Sequence, residues 1–204
     1  MVQFRATDGL VNDFHLVHLG KFALGKFGIV FTENCAVEPR GRVTQGDLGL
    51  WDDGQIASHK RLTAFIKGEG ALAATQITHS GRKGSTARTF DKRGELGPPG
   101  AGWKKWEVVG PTDRPAAEGW LKPRALSSAE IEELVTKFAA AAKRADAAGY
   151  DVLEIHGAHG YQAIKSNSKI SEMESLDFRR SWRTQRNPKK VQLSPEICHF
   201  HSDI

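Results

Sequence analysis

The sequence predicts an α/β protein whose strands run parallel in one sheet, with helices packed outside it. Three observations carry this reading: short unbroken apolar runs rather than alternating ones, an amphipathic helical pattern between successive runs, and Gly or a capping residue at the joins. The runs fall at 28–32, 71–77 and 151–155, and the chain reads helix, strand, helix, strand, helix, strand.

The first helix follows Asn12 and Asp13, a capping pair, and carries Phe14, Leu16, Val17, Leu19, Phe22 and Ala23 before Gly25 stops it. A short buried strand, Gly28-Ile29-Val30-Phe31-Thr32, comes next. A loop through Glu38-Pro39-Arg40-Gly41-Arg42 then leads to Leu48-Gly49-Leu50-Trp51 and a helix over 56–66, closed by Gly68 and Gly70. After the strand at 71–77, residues 80–126 form a long excursion rich in Gly, Pro, Arg and Lys, with Trp103, Trp106 and Trp120 expected to pack within the loop. Ser127-Ser128-Ala129-Glu130 supplies a capping box, because hydroxyl and carboxylate each satisfy an orphan amide. Ile131, Leu134, Val135, Phe138, Ala142 and Ala145 form the buried stripe of the helix it opens, and Gly149 takes the C′ position.

Composition narrows the class. With 204 residues, 39% hydrophobic and 26% charged, the chain has the balance of an ordinary globular domain. Its net charge of +5 is weak evidence for nucleic acid, since residues 1–161 hold 21 Lys/Arg against 19 Asp/Glu and the rest of the excess lies in 162–204. Cys35 and Cys198 are too few for a disulfide framework, and no apolar run is long enough to span a membrane, so a cytoplasmic protein is expected.

The most telling segment is Asp151-Val152-Leu153-Glu154-Ile155-His156-Gly157-Ala158-His159-Gly160-Tyr161, an apolar strand that ends in two imidazoles and a phenol. Loops at the carboxyl ends of parallel strands are where such folds gather substrate. Leu153 and Ile155 share one face, and Val152, Glu154 and His156 the other. A buried Glu154 would need a partner. Two neutral imidazoles can both donate to one carbonyl oxygen; they can also ligate a metal, or merely cap strand carbonyls. A zinc site normally takes three or four protein ligands, and no third stands at conventional spacing, so no metal is expected. Arg82 and Lys83 read as a solvated face rather than a phosphate site.

Four motifs in order, Phe31-Thr32-Glu33-Asn34-Cys35-Ala36-Val37-Glu38-Pro39-Arg40-Gly41-Arg42, Asp47-Leu48-Gly49-Leu50-Trp51, Gln76-Ile77-Thr78-His79-Ser80-Gly81-Arg82-Lys83 and Glu154-Ile155-His156-Gly157-Ala158-His159-Gly160-Tyr161, resemble the old yellow enzymes. These are FMN-dependent NADH:flavin oxidoreductases of the ene-reductase type, and the likeness is to the subgroup with a His/His pair. The resemblance implies a (β/α)8 TIM barrel holding FMN at its carboxyl-end mouth, reduced by NADPH or NADH and reoxidised by an enone or similar activated alkene. It assigns Gln76 and Asn34 to the flavin, with Met1 and Val2 beside it. His156, His159 and Phe4 fall to the substrate, and Tyr161 to proton donation at the α-carbon. Met1-Val2-Gln3-Phe4 stands where the family usually has Met-Cys-Gln-Tyr, so Val2 replaces a thiol and Phe4 a phenol.

The resemblance covers residues 1–161. The expected fold is therefore a partial (β/α)8 TIM barrel, truncated, with a divergent basic tail over 162–204 that is poorly ordered. An open sheet edge would permit a homo-oligomer. The enzyme reading competes with a non-catalytic remnant acting as a protein-interaction module, and with a metal protein using His156, His159, Cys198, His199 and His201.

Overall fold

The computed structural model describes residues 1–91, 105–157 and 159–161. The segment 162–204, expected to form a poorly ordered tail, and Trp103 lie outside the described residues.

Helix α1, Asp13–Leu24, begins where Asn12 Oδ1 accepts from the Phe14 amide at 3.1 Å, and His15 Nδ1 closes the capping box by accepting from the Asn12 amide. Strand β1, Ile29–Ala36, runs four residues past the expected end and into the first family-like motif. A two-residue strand β2, Leu48–Gly49, forms where only a loop was anticipated. Helix α2, Ile56–Gly68, and strand β3, Leu72–Thr78, follow. The excursion after β3 pairs with itself in two short parallel strands, β4 Val109–Gly110 and β5 Arg124–Ala125. Helix α3, Ser128–Ala147, opens with the Ser127/Glu130 box and ends before Gly149, whose φ of 87° gives the left-handed turn that glycine adopts without strain. Strand β6 is Val152–Ile155.

The main sheet has the order β2-β1-β3-β6, all parallel. Each connection from β1 to β3 and from β3 to β6 carries a helix, as parallel pairing requires. Val30, Cys35, Ala73 and Ile77 point into a core shared with Leu19, Leu62, Ile66, Leu134 and Phe138, and Leu153 and Ile155 pack against it. The opposite face is open: Ile29, Phe31 and Leu72 are 40, 41 and 37% exposed there.

In β1 the register with β3 shifts between Phe31 and Asn34, a bulge in which Thr32 and Glu33 together oppose Thr75. Beyond it Asn34 faces Gln76 and Ala36 faces Thr78, on the same side as the exposed apolar residues upstream.

Because Phe138 is 2% exposed at the centre of the α3 interface, Phe138→Ala is expected to lower unfolding stability by about 3–5 kcal/mol. Ser127→Ala, which removes only the cap, should cost about 1 kcal/mol. Urea unfolding of both variants checks the ranking, and equal midpoints would contradict this account of the core.

Candidate active site

The site grows from the open face at the carboxyl ends of the strands. The strand pairing sets Asn34, Gln76 and Glu154 in one row across β1, β3 and β6. Gln76 Nε2 donates to Glu154 Oε1 at 2.8 Å, so Glu154 has the partner it needs and is exposed rather than buried. Thr78 follows Gln76 by two residues and His156 follows Glu154 by two, so both stand in the next row on the same face.

This floor carries polar atoms with nothing to bind. Asn34 Oδ1 and Nδ2, Gln76 Oε1, Thr78 Oγ1, Gln3 Oε1 and Arg82 Nε are buried and have no hydrogen-bond partner among the described residues. A buried polar group left unpaired costs about 1–3 kcal/mol, so a run of them at one place marks a surface shaped for a polar ligand. Planar amides beside a hydroxyl suit the donor and acceptor edge of a heteroaromatic ring such as the pyrimidine side of FMN.

The wall beside the floor is the loop after β6. The His156 ring lies 5.2 Å from His159 and 4.8 Å from Tyr161, each nearly perpendicular to it. Two successive left-handed residues, His159 at φ 59° and Gly160 at φ 70°, turn the chain so that Tyr161 returns toward His156. Such a conformation costs a non-glycine residue of order 1 kcal/mol. Lys83 helps to hold it: its Nζ donates to the His159 carbonyl at 2.7 Å and lies 5.5 Å from the Tyr161 ring centre.

The amino-terminal segment closes the other side. The Asn34 amide donates to the Met1 carbonyl at 3.1 Å, while the Met1 side chain is fully exposed. The Gln3 amide donates to Glu33, which in turn accepts from His15 Nε2 at 3.0 Å. Val2 is half-buried. Phe4 is buried, in a left-handed conformation with φ 59°.

Burial pulls the His156 pKa down to about 4, helped by His159 and the terminal ammonium and opposed by Glu154. Burial raises the Tyr161 phenol, and Asp47 adds to the rise. Both groups are therefore neutral near pH 7: an uncharged imidazole and a protonated phenol side by side.

All the expected site residues that form the floor and wall, Asn34, Gln76, His156, His159 and Tyr161, are brought to this one end of the sheet. Met1 arrives by its carbonyl only. Two polar residues went unassigned from sequence: Gln3 and Thr78. Thr78 was legible as the next same-face position after Gln76. Reading Arg82 and Lys83 as a solvated face is corrected, since both are half-buried and Lys83 is engaged with the His159 loop. Trp106 does pack in its loop, its Nε1 donating to the Arg40 carbonyl at 3.1 Å. Among the described residues no three His, Cys, Asp or Glu side chains could hold a metal ion, and no helix is long and apolar enough to cross a membrane. Cys198, His199 and His201 lie outside the described residues.

Residues 1–166 match the profile of the NADH:flavin oxidoreductase / NADH oxidase family. An NADH:flavin oxidoreductase of Gibberella zeae is 37% identical over 180 residues, which is 87% of this chain and 43% of that protein. An NADPH dehydrogenase of Bacillus licheniformis is 38% identical over 178 residues, 87% of this chain and 47% of that one. The chain thus spans about half the length of these relatives. Among solved structures, 2-naphthoyl-CoA reductase in complex with 2-naphthoyl-CoA aligns with a TM-score of 0.65 at 27% identity, covering 79% of this chain and 24% of that one. Morphinone reductase aligns with a TM-score of 0.64 at 23% identity over 79% of this chain and 43% of its own.

The depressed pKa of His156 can be read directly. Its imidazole should titrate with a midpoint near 4 in a proton NMR titration, staying neutral at pH 6. The sign follows from linkage: the unfolded chain, with a His pKa of about 6.5, binds more protons between pH 6.5 and 4, so this group makes the fold lose stability as pH falls through that window. A midpoint at or above the ordinary value would contradict the burial of the ring.

Proposed function

Since the chain belongs to the NADH:flavin oxidoreductase / NADH oxidase family, the old yellow enzymes, and has the fold of part of their TIM barrel, we propose that its site serves FMN-dependent oxidoreduction in which NADPH or NADH reduces an activated carbon–carbon double bond. The observation that carries this reading is the set of unpaired buried atoms on Asn34, Gln76 and Thr78 in front of the His156/Tyr161 wall.

The Gln76 and Asn34 amides and the Thr78 hydroxyl would hold the flavin's polar edge, with Gln3 and the Met1–Val2 segment alongside. When bound, FMN supplies the two-electron chemistry of hydride uptake and delivery. The protein's own contribution is orientation and proton handling. His156, as a neutral imidazole, and His159 each donate a hydrogen bond to the carbonyl oxygen of an enone and draw electron density from its β-carbon. Tyr161, kept protonated by burial, gives its proton to the α-carbon as general acid. Phe4, buried, would stand beside the substrate where a tyrosine would have offered a donor. Lys83 keeps His159 and Tyr161 in their turn through the His159 carbonyl.

A second reading, a module that binds protein, draws on the exposed Ile29, Phe31 and Leu72 of the open sheet face. It predicts concentration-dependent association in light scattering and no uptake of flavin.

The deciding measurement is an FMN titration of the purified chain followed by flavin fluorescence and absorbance. Saturable quenching with a shifted flavin band is expected, weakened about tenfold or more in Gln76→Leu, which removes hydrogen-bonding capacity without removing bulk. A phenol ligand should then perturb the flavin spectrum in the native chain and fail to do so in His156→Ala/His159→Ala. Absence of any FMN binding would overturn the reading.

A further inference from the structure

The carboxyl-end loops enclose a second cleft, of about 440 Å3, that the proposed chemistry leaves unused. Asp8, Arg42, Gln45, Arg88, Lys105 and Trp106 line it, and Arg42 and Lys105 bring positive charge beside Asp8. Its walls are the segments that leave the amino-terminal stretch, β1 and β3, tied together where Ala6 N–H donates to the Gly46 carbonyl and Thr86 N–H to the Val43 carbonyl, each at 2.9 Å. The cleft therefore opens on the same end of the sheet as Gln76 and His156.

Arg42 is held ready at its centre. Its guanidinium carbon lies 5.3 Å from the Trp51 ring centre and 5.0 Å from that of Trp106. Both indoles are fixed in place. Trp106 donates from Nε1 to the Arg40 carbonyl at 3.1 Å and from its backbone to Ser85 Oγ at 3.2 Å. Trp51 lies so close to two glycines that a Cβ at Gly49 would fall 2.0 Å from its ring and one at Gly9 2.5 Å from it. Arg42 Nε is spent on the Pro39 carbonyl at 2.8 Å, while its Nη groups meet no acceptor among the described residues. Burial pulls its pKa down against the opposing charges of Asp47 and Asp8, the signature of a guanidinium that has lost water without gaining a close anion. A planar, pre-oriented fork of donors with further positive charge across a cleft is the arrangement that recognises phosphate.

We propose that this cleft is an anion subsite that takes a phosphate group of a ligand bound at the neighbouring site, with Arg42 as the central donor and Lys105 adding charge. The phosphate can be carried by the nicotinamide dinucleotide or by an anionic tail of the substrate. The identity of the carrier rests on the function proposed above, whereas the binding of phosphate itself does not.

The test is an NMR titration of the full chain, following the indole N–H signals of Trp51 and Trp106 as sodium phosphate replaces sodium chloride at constant ionic strength. Saturable shifts of both signals are expected, lost in Arg42→Met. Should that variant not fold, Lys105→Glu, which reverses an exposed charge, is expected to weaken phosphate binding about fivefold or more. No saturable shift up to tens of millimolar phosphate, or unchanged binding in Lys105→Glu, overturns the proposal. Displacement of the phosphate by NADPH assigns the carrier to the dinucleotide, whereas phosphate that stays bound at saturating NADPH overturns the dinucleotide as carrier. A chain that binds phosphate but not FMN would uphold the cleft while removing the flavin reading.

Discussion

The strand register on which the site depends is set by groups on the opposite face of the sheet. With a side-chain period of two, a slip of one residue in β3 would turn Gln76 and Thr78 toward the helices and bring Thr75 and Ile77 to the floor. What forbids the slip is a buried polar chain. Thr32 Oγ1 and Thr75 Oγ1 share a hydrogen bond at 2.7 Å, and Cys35 Sγ lies 3.4 Å from Thr75 Oγ1. Beyond them His59 donates from Nε2 to the Gly49 carbonyl at 3.0 Å, which leaves Nδ1 to accept from the Tyr150 hydroxyl at 2.7 Å. Burial raises Cys35 to about 12 and lowers His59 to about 4, so the chain is uncharged near neutral pH and is matched only in this register.

A charged cluster transmits position from the helices to the site. Glu38 is buried at the start of the loop after β1, where desolvation alone would raise its pKa, but hydrogen bonds from His79, Lys137 and Arg40 hold it well below the usual carboxylate range. His79 accepts the Gly81 amide on Nδ1, so the proton lies on Nε2, 2.8 Å from Glu38 Oε1. Lys137 reaches the same carboxylate from α3. Removing one donor from such a cluster would leave a buried charge partly compensated, a costly defect. The single turn Gly81–Lys83 follows directly from His79 and delivers Lys83 to the His159 carbonyl. Helix α3 is thus connected to the His/Tyr wall through a carboxylate and a loop.

Much of this was legible in the amino-acid sequence. Caps at Asn12 and Ser127, the turn at Gly149 and the apolar stripe through Leu134 and Phe138 are local signals, and local physics decides them. Face alternation was enough to set Glu154 and His156 opposite Leu153 and Ile155. Strand β2 was not legible, because two residues carry no periodicity and Leu48–Gly49 becomes a strand only by pairing with Cys35 and Ala36. The β1 bulge was hidden for a related reason: nothing in Thr32-Glu33 signals the extra residue, which exists because Glu33 reaches His15 and the Gln3 amide. Lys83 read as surface because its partner is a backbone carbonyl seventy-six positions away.

Contrast within the molecule gives the floor its meaning. Among the described residues, buried carboxylates and hydroxyls away from the floor find partners: Glu33 with His15, Glu38 with His79, Thr63 with the Ala148 carbonyl, and Asp47 with the Val43 and Thr44 amides even though burial raises its pKa to about 7. A sequence that satisfies these groups, yet leaves atoms of Asn34, Gln76, Thr78 and Gln3 unpaired at one strand end, with Arg82 Nε in the turn that follows β3, gathers the polar deficit of its described residues toward the carboxyl ends of the strands. At about 1–3 kcal/mol for each unpaired group the deficit is a sizeable part of the stability a domain of this size ordinarily has. A planar ligand able to satisfy those atoms together would recover that free energy on binding, so stability and occupancy of the floor are linked through the same four side chains.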